Sequence, residues 1–361
     1  MSPNTCPQYE VVVVGGGPAG LTTALYTTRL GHQTAVFEGE GGRHAAVNHV
    51  HNVLGISPDI SGRELASHAL EQVETYGGDI YLDIVENIDT VEGDYPFRLE
   101  AAHATVESKR VVLATGFRDH SPDVPGLREF TGRGLYYCLH CDAYALGDGS
   151  VYVLGHDDDA AHAAMTMLNF TEDVDLLLDG RDPQWDDDTD EQLRAHPIER
   201  VEPKVVETYT ADTDDDRFGG LTFTDGTARD YLGGFAMYGM TYNTPLAESL
   251  ECDLTDDGAI DVDERRETSV EGVYAVGDVT HGQNQTPIAI GDGAYAGISI
   301  HKDIRRFPLS LETIDSLNAP ESGTSDSPVT APGTGPELRA RMRRMQDRTT
   351  NPGLRGPPPD R

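Results

Sequence analysis

Lysine is nearly missing from this chain. Only Lys109, Lys204 and Lys302 occur in 361 residues, and 27 basic side chains face 62 acidic ones, for a net charge of -35. Nucleic acid and anionic membrane surfaces are therefore excluded as partners, because both would be repelled. Self-repulsion of this size is tolerable where salt shortens the Debye length to about 3 Å near 1 M, so the acid excess reads as halophilic, an adaptation to a salt-rich cytoplasm. Cysteine is scarce too. Four residues are too few to staple a chain of this length, which excludes a disulfide scaffold. Long apolar runs are also lacking: Val11 to Val14 falls far short of the roughly 20 residues that span a bilayer. The start, Met1-Ser2-Pro3-Asn4-Thr5-Cys6, has no basic region leading into a signal core. These absences predict a soluble cytoplasmic protein, long enough for two domains.

Two of the cysteines stand close together, in Tyr137-Cys138-Leu139-His140-Cys141-Asp142. A C-x-x-C pair can close a disulfide, and the spacing lowers at least one thiol pKa so that exchange runs near neutral pH. Asp142 beside it can give a proton to a leaving thiolate or take one from an incoming thiol. A zinc site would need further ligands, and Cys6 and Cys252 are lone and distant, so no metal is expected. A purely structural disulfide fits poorly with a chain that has no export signal, and two unrelated thiols would leave Asp142 unexplained.

Both flanks read as nucleotide-binding units. Glu10-Val11-Val12-Val13-Val14 is a buried strand, followed by Gly15-Gly16-Gly17-Pro18-Ala19-Gly20 and a helical stretch, Leu21 to Leu30. Gly15, Gly17 and Gly20 make G-x-G-x-x-G: a tight turn, a close approach of backbone to pyrophosphate, and close helix packing. A second strand, Thr34 to Phe37, ends in Glu38, where an acid would hold a ribose hydroxyl. The loop from Gly41 to Gly55 could run back beneath a cofactor, and its His44, His49 and His51 have no ordered metal-ligand spacing. Residues 61–77 predict an amphipathic helix and 79–110 a small antiparallel insertion. Arg110 to Leu113 is another buried strand, turning at Ala114-Thr115-Gly116. Far along the chain, Gly272 to Asp278 is a strand leading to Gly277-Asp278, then Gln285-Thr286-Pro287 and a helical run, Ile288 to Ile304.

With these elements in order, residues 8–307 resemble the low-molecular-weight thioredoxin reductases and their relatives among the FAD-dependent pyridine nucleotide-disulfide oxidoreductases. The likeness lies in the first glycine unit with Glu38, the Ala114-Thr115-Gly116 turn, the Cys-x-x-Cys-Asp element, and Thr268 through Asp278. The resemblance implies an α/β fold of two Rossmann-like, three-layer domains, one inserted in the other. An FAD-binding domain would comprise 8–117 plus 240–307, and an inserted nicotinamide-type domain, 118–239, would carry the C-x-x-C. FAD would be held by Gly15, Gly17, Pro18, Ala19, Gly20, Glu38, Arg43, Asn52, Val85, Ala114, Thr115, Gly116, Gly277, Asp278, Gln285, Thr286 and Pro287. Cys141 would face the flavin, Cys138 would attack the partner disulfide, and Asp142 would be the acid/base. The implied partner is a thioredoxin-like protein or a small-molecule disulfide or dithiol. A homodimer whose inserted domain rotates is implied as well.

The inserted unit departs from the pattern. Ser150 to Leu154 reads as a strand into Gly155, with a helix from Ala160 to Asn169, but the family's G-x-G-x-x-A has Asp157 in the second glycine's place. That puts a negative charge where pyrophosphate should lie against the helix start. The next strand ends at Asp179, the counterpart of Glu38, and Arg181 stands alone among acids where NADPH-using relatives carry an arginine cluster. Gly155 and Asp179 are thus the candidate nicotinamide residues, and NADPH is the least suited donor. Weak NADH binding, reduction by ferredoxin or another carrier, and reversed flow from a dithiol to oxygen, as in the thioredoxin-reductase-like dithiol oxidases, stay open. Asp142 favours a reductase over an oxidase. A flavin-bound redox sensor is the alternative of another class.

The runs Trp185 to Asp190 and Asp212 to Asp216 read as solvated loops, 219–231 as a hairpin, and Met240 to Pro245 with Gly116-Phe117-Arg118 as a two-stranded hinge. Residues 308–361 read as a disordered tail, rich in Pro, Gly, Ser and Thr over 318–336, with a basic helical stretch at 337–348.

Overall fold

Side chains alternate across a strand, so Val11 and Val13 line one face while Val12 and Val14 line the other. All four are buried, as expected of a parallel strand covered on both sides. The computed structural model describes residues 6–39, 41–211 and 214–305, with short pieces at 310–312, 340 and 344. Most of the predicted tail, 308–361, lies outside the described residues.

In chain order the elements are β1 (Gln8–Val14), α1 (Pro18–Arg29), β2 (Thr34–Phe37), α2 (Gly62–Thr75), β3 (Asp79–Tyr81), β4 (Val85–Thr90), β5 (Phe97–Ala101) and β6 (Thr105–Leu113). There follow β7 (Phe117–Asp119), β8 (Leu135–Tyr136), α3 (Leu139–Asp142), β9 (Val151–Leu154), α4 (Asp158–Met167), β10 (Val174–Leu177), α5 (Asp187–Ala195) and β11 (Ile198–Val201). Next come β12 (Val205–Ala211), β13 (Asp214–Phe223), β14 (Ala228–Asp230), β15 (Gly233–Ala236) and β16 (Met240–Tyr242). The chain closes with α6 (Pro245–Ser249), β17 (Val273–Ala275) and α7 (Thr286–Ile304). They form two compact units: Met1–Ala45, Gly62–Gly116 and Tyr242–Arg361 in the first, Ala46–Ser61 and Phe117–Thr241 in the second. Strands β7 and β16 pair where the chain leaves and re-enters the first unit.

The first unit is built on a sheet of order β3-β2-β1-β6-β5-β4, with β17 also paired to β6. Val11, Val13 and Val112 pack under α1 and α7, while Val12, Val14 and Leu113 pack against Ile88, Phe97 and Leu99. Each such side chain contributes roughly 1.5–3 kcal/mol when fully buried. Helices α1 and α7 touch closely: a Cβ on Gly293 would lie 2.2 Å from the Ala19 carbonyl oxygen. The expected insertion over 79–110 is not a separate sheet. β3 pairs parallel with β2, and only β4, β5 and the start of β6 are antiparallel. Three alternating residues suit either direction, and the main sheet's open edge decided it. The segment 46–61, expected with the first unit, groups with the second.

The second unit repeats the plan with an all-parallel sheet, β11-β10-β9-β15-β8. Val151 and Val153 face α4, and Tyr152 and Leu154 face Phe218, Leu221 and Phe223 of the β12-β13-β14 sheet. The hairpin read at 219–231 is β13 with β14, to which β12 adds a third strand. The acidic run at 185–190 is not a loop. Asp186 caps α5 by accepting from Thr189 N at 2.7 Å, and Asp187, Asp188 and Asp190 fill its first turn, where carboxylates favour the helix dipole. Of the run 212–216, residues 212 and 213 lie outside the described residues, and 214 begins β13.

Candidate functional site

Cys138 and Cys141 are joined in a disulfide with their Cα atoms 5.3 Å apart. Cys138 is the extended N-cap residue of α3, and its carbonyl oxygen accepts from the backbone N–H of both Cys141 and Asp142 at 3.2 Å. Neighbours pin this turn from two sides. Tyr136 and Leu139 pack against the core under α4, whereas Tyr137 packs against the opposite core and shares a 2.8 Å hydrogen bond with Ser121 Oγ. Both cysteines and Asp142 stay half-buried, and His140 is exposed. Burial, and after it the charge of Asp142, pushes the Tyr136 phenol up. Asn52 was expected beside a flavin; in this structure its Nδ2 donates to Cys141 Sγ at 3.8 Å, inside the second unit. His49 and His51 flank it on the same loop with rings 5.7 Å apart, edge to face.

The first unit's glycine turn is tight where it packs and open where it ends. A Cβ on Gly15 (φ +112°) would lie 2.3 Å from Ala114 O, and one on Gly20 would lie 2.0 Å from Gly15 O. Gly17 is different: nothing lies within 4 Å of an added Cβ there. It is the N-cap residue of α1, with no side-chain capping bond and Pro18 opening the helix, followed by Ala19. Such an end is a ready anion site. At the end of β2, Glu38 accepts from Gly16 N and Gly41 N, each at 2.5 Å. These features fit a dinucleotide such as FAD. The Ala114-Thr115-Gly116 turn is locked by Asn243: Thr115 Oγ1 donates to Asn243 O at 2.7 Å, and Asn243 Nδ2 donates to Thr115 O at 2.8 Å. Sequence reasoning passed over Asn243, whose signal was a polar side chain at the chain's return to this unit. A Cβ on Gly277 would meet Ala19 Cβ at 2.6 Å, which sets the Gly277-Asp278 turn against the start of α1. Gln285 precedes α7 without a side-chain cap, with Thr286 and Pro287 in the first turn. Arg43 begins a single 3-10 turn, and Val85 opens β4, buried.

The second unit's turn is closed from within. Gly155 is also tight, its added Cβ falling 2.6 Å from both Ala160 Cβ and Met237 O. Asp157, in Gly17's place, caps α4 by accepting from Ala160 N at 3.1 Å. Gln184 N donates to His156 O at 2.7 Å, and Thr189 Oγ1 donates to Asp158 at 3.3 Å. Asp179 is buried in the left-handed region (φ +53°) and accepts from Val205 N at 3.0 Å and the Tyr238 hydroxyl at 3.2 Å. The Arg181 guanidinium lies over the Tyr238 ring, 4.9 Å from its centre.

No helix among the described residues is long and apolar enough to cross a membrane. A family model for pyridine nucleotide-disulphide oxidoreductases matches residues 9–293. The chain is similar to a thioredoxin reductase of Peptoclostridium litorale, 29% identical over 311 residues that cover 83% of this chain and 98% of the relative. It is also similar to an NADH dehydrogenase of Bacillus subtilis, 30% identical over 302 residues, 80% of this chain but 57% of that longer protein. Among solved structures, a thioredoxin reductase from Streptococcus pyogenes matches with a TM-score of 0.77 and 28% identity, over 84% of this chain and 100% of that one. The chain belongs to the pyridine nucleotide-disulphide oxidoreductase family, in its thioredoxin reductase-like, FAD-dependent branch.

Proposed function

We propose that this protein reduces the disulfide of a thioredoxin-like protein or a small molecule, passing electron pairs from FAD through Cys138 and Cys141. The observation that carries the reading is the half-exposed disulfide followed directly by Asp142, in a chain whose first unit keeps an open glycine turn. The first unit would hold FAD. Gly15, Gly17, Pro18, Ala19 and Gly20 would lie along the pyrophosphate and Glu38 at a ribose. Arg43, Val85, the 114–116 and 277–278 turns and residues 285–287 would line the rest. When bound, FAD supplies the electron pair that opens the disulfide.

The residues of the second unit carry the exchange. The Cys138 thiolate attacks the partner's S–S bond, forming a mixed disulfide and releasing one partner thiolate, which takes a proton from Asp142. The Cys141 thiolate then attacks the Cys138 sulfur. The second partner thiolate leaves, and the intramolecular disulfide seen in this structure is restored.

Among nicotinamides NADPH suits the second unit least, since acids stand at 157 and 179 and Arg181 has no basic companions nearby in the sequence. The net charge of -35 supports a salt-rich cytoplasm of haloarchaeal type. An apolar stripe on α7, with Ile288, Tyr295 and Ile298 exposed, supports self-association as a homodimer.

The test is to purify the protein in high salt, record its visible spectrum, and assay anaerobic reduction of a thioredoxin-like substrate. A yellow protein whose reductase activity is lost in Cys138→Ser is expected. A colourless protein, or a Cys138→Ser variant with full activity, refutes the reading. Bleaching by dithiol alone, with recovery in air, turns it into a dithiol oxidase.

A further inference from the structure

The family implies a nicotinamide dinucleotide on the second unit, yet the residues there do not fit one. We infer that this unit binds neither NADH nor NADPH, because its own side chains hold the places that the pyrophosphate and the adenosine ribose would take. The inference goes beyond the proposed function, which sets aside only NADPH.

A strand-turn-helix unit receives a pyrophosphate when three conditions hold together. The helix start must be uncapped, the middle glycine must leave room for backbone to approach the phosphates, and the acid after the next strand must face the ribose. The first unit meets the first two at Gly17 and keeps Glu38 half-exposed. The second unit fails all three. Asp157 takes the middle position and spends its carboxylate on Ala160 N, a donor of the helix start that a phosphate would use. Asp158 and Asp159 follow in the same first turn, so an arriving phosphate would meet three carboxylates.

The acid after the strand is also withdrawn. Asp179 is 8% exposed, and its two oxygens accept from Val205 N and the Tyr238 hydroxyl. By strand register Leu178 holds the place of Glu38, since Val14 pairs with Phe37 and Leu154 with Leu177, and Asp179 lies one residue further on a left-handed backbone. Arg181, the basic group in reach of this turn in sequence, lies over Tyr238. Finally, the 180–189 connection is fastened to the turn itself through Gln184 N on His156 O and Thr189 on Asp158. A dinucleotide would have to break these bonds to lie along the turn. The electrons that reach the flavin therefore do not come from a nicotinamide docked here.

The experiment is equilibrium dialysis of the FAD-replete protein against labelled NAD+ and NADP+ in high salt, with the first unit's turn already filled. Oxidised nucleotides report binding without turnover. For the wild type, no saturable binding tighter than about 1 mM is expected, the upper end of usual substrate affinities. Asp157→Gly should tighten NAD+ by at least about tenfold, a difference of about 1.4 kcal/mol. Asp157→Asn keeps a capping side chain without the charge, so it should fold like the wild type and gain less than the glycine variant. Wild-type binding tighter than about 1 mM overturns the inference. A folded Asp157→Gly that gains nothing, or an Asn variant that gains as much, overturns the assignment to the capping side chain. A colourless protein would sink the proposed function instead, so the two failures are told apart.

Discussion

The two glycine turns of this chain share a plan and differ in one decisive position. Gly15 and Gly155 are both so close to neighbouring backbone that a Cβ would collide. Two residues later, the first turn has Gly17 with open space and an uncapped helix, and the second has Asp157 bonded to Ala160 N. Both units lay parallel strands of alternately packed, buried side chains against the helix that follows the glycine turn. What differs is who satisfies the helix start: solvent or a ligand in one, the chain itself in the other. A Rossmann-type unit can thus keep its architecture, which rests on buried strands, whether its helix start is left open or capped by its own side chain.

The comparison can be broken most sharply by moving the acid. Gly17→Asp should fold, since its Cβ has room, and its carboxylate should cap α1 and raise stability by roughly a few tenths of a kcal/mol. The purified protein should have lost its yellow colour, measured as visible absorbance per protein. A variant that stays yellow would show that the cap is not what separates the turns.

A second contrast concerns acid. Burial raises the Glu10 carboxyl, but the hydrogen bond and charge of His32, with Arg305 behind them, outweigh it and hold the group at about 2. His32 Nδ1 and Arg305 each lie 3.3 Å from Glu10 Oε2, linking β1 to the end of α7. A carboxyl that ionises more readily when folded contributes stability that is full above its ordinary 4.5 and lost as pH falls toward 2. The contribution is on the order of 3 kcal/mol. Denaturant melts of Glu10→Gln should be weaker at pH 7 and flatter between pH 4.5 and 2 than those of the wild type. An unchanged slope would remove Glu10 as the source.

Asp179→Ala should destabilise the second unit by roughly 1–3 kcal/mol, because Val205 N is left buried and unpaired, while flavin content stays unchanged. Loss of flavin instead would mean that Asp179 serves a cofactor after all. The smallest effect should come from the cap itself. Asp157→Ala should cost about 1 kcal/mol in thermal or denaturant melts and Asp157→Asn close to nothing. A cost for Asn equal to that for Ala would mean that charge, not capping, is what Asp157 supplies.

Much of the architecture was legible because it depends on patterns with a local cause. Apolar runs bounded by glycine turns marked β1, β6, β9 and β17, and the C-x-x-C spacing marked the disulfide. The acidic stretch at 185–190 misled because charge alone says solvated, while Asp186 in front of a helix says cap. The direction of β3 was not legible, since three residues carry no preference strong enough to oppose the sheet they join. Asn243 was missed because its partners at Thr115 are brought to it only when the chain has folded back. For Asp157 the position in the turn was legible, but its hydrogen bond to Ala160 was not foreseen.

The order of residues alone settled that the chain would build two layered units around parallel strands, with paired sulfurs between a tyrosine and an aspartate. Burial and turn chemistry act over a few neighbours, and those neighbours are written in line. Folding decided what each acid does. Glu38 and Asp179 both follow the second parallel strand of their unit, yet one remains half-exposed on backbone amides while the other is buried on Val205 and Tyr238. A carboxylate's role depends on the donors that surround it, and those donors arrive from strands and loops far along the chain.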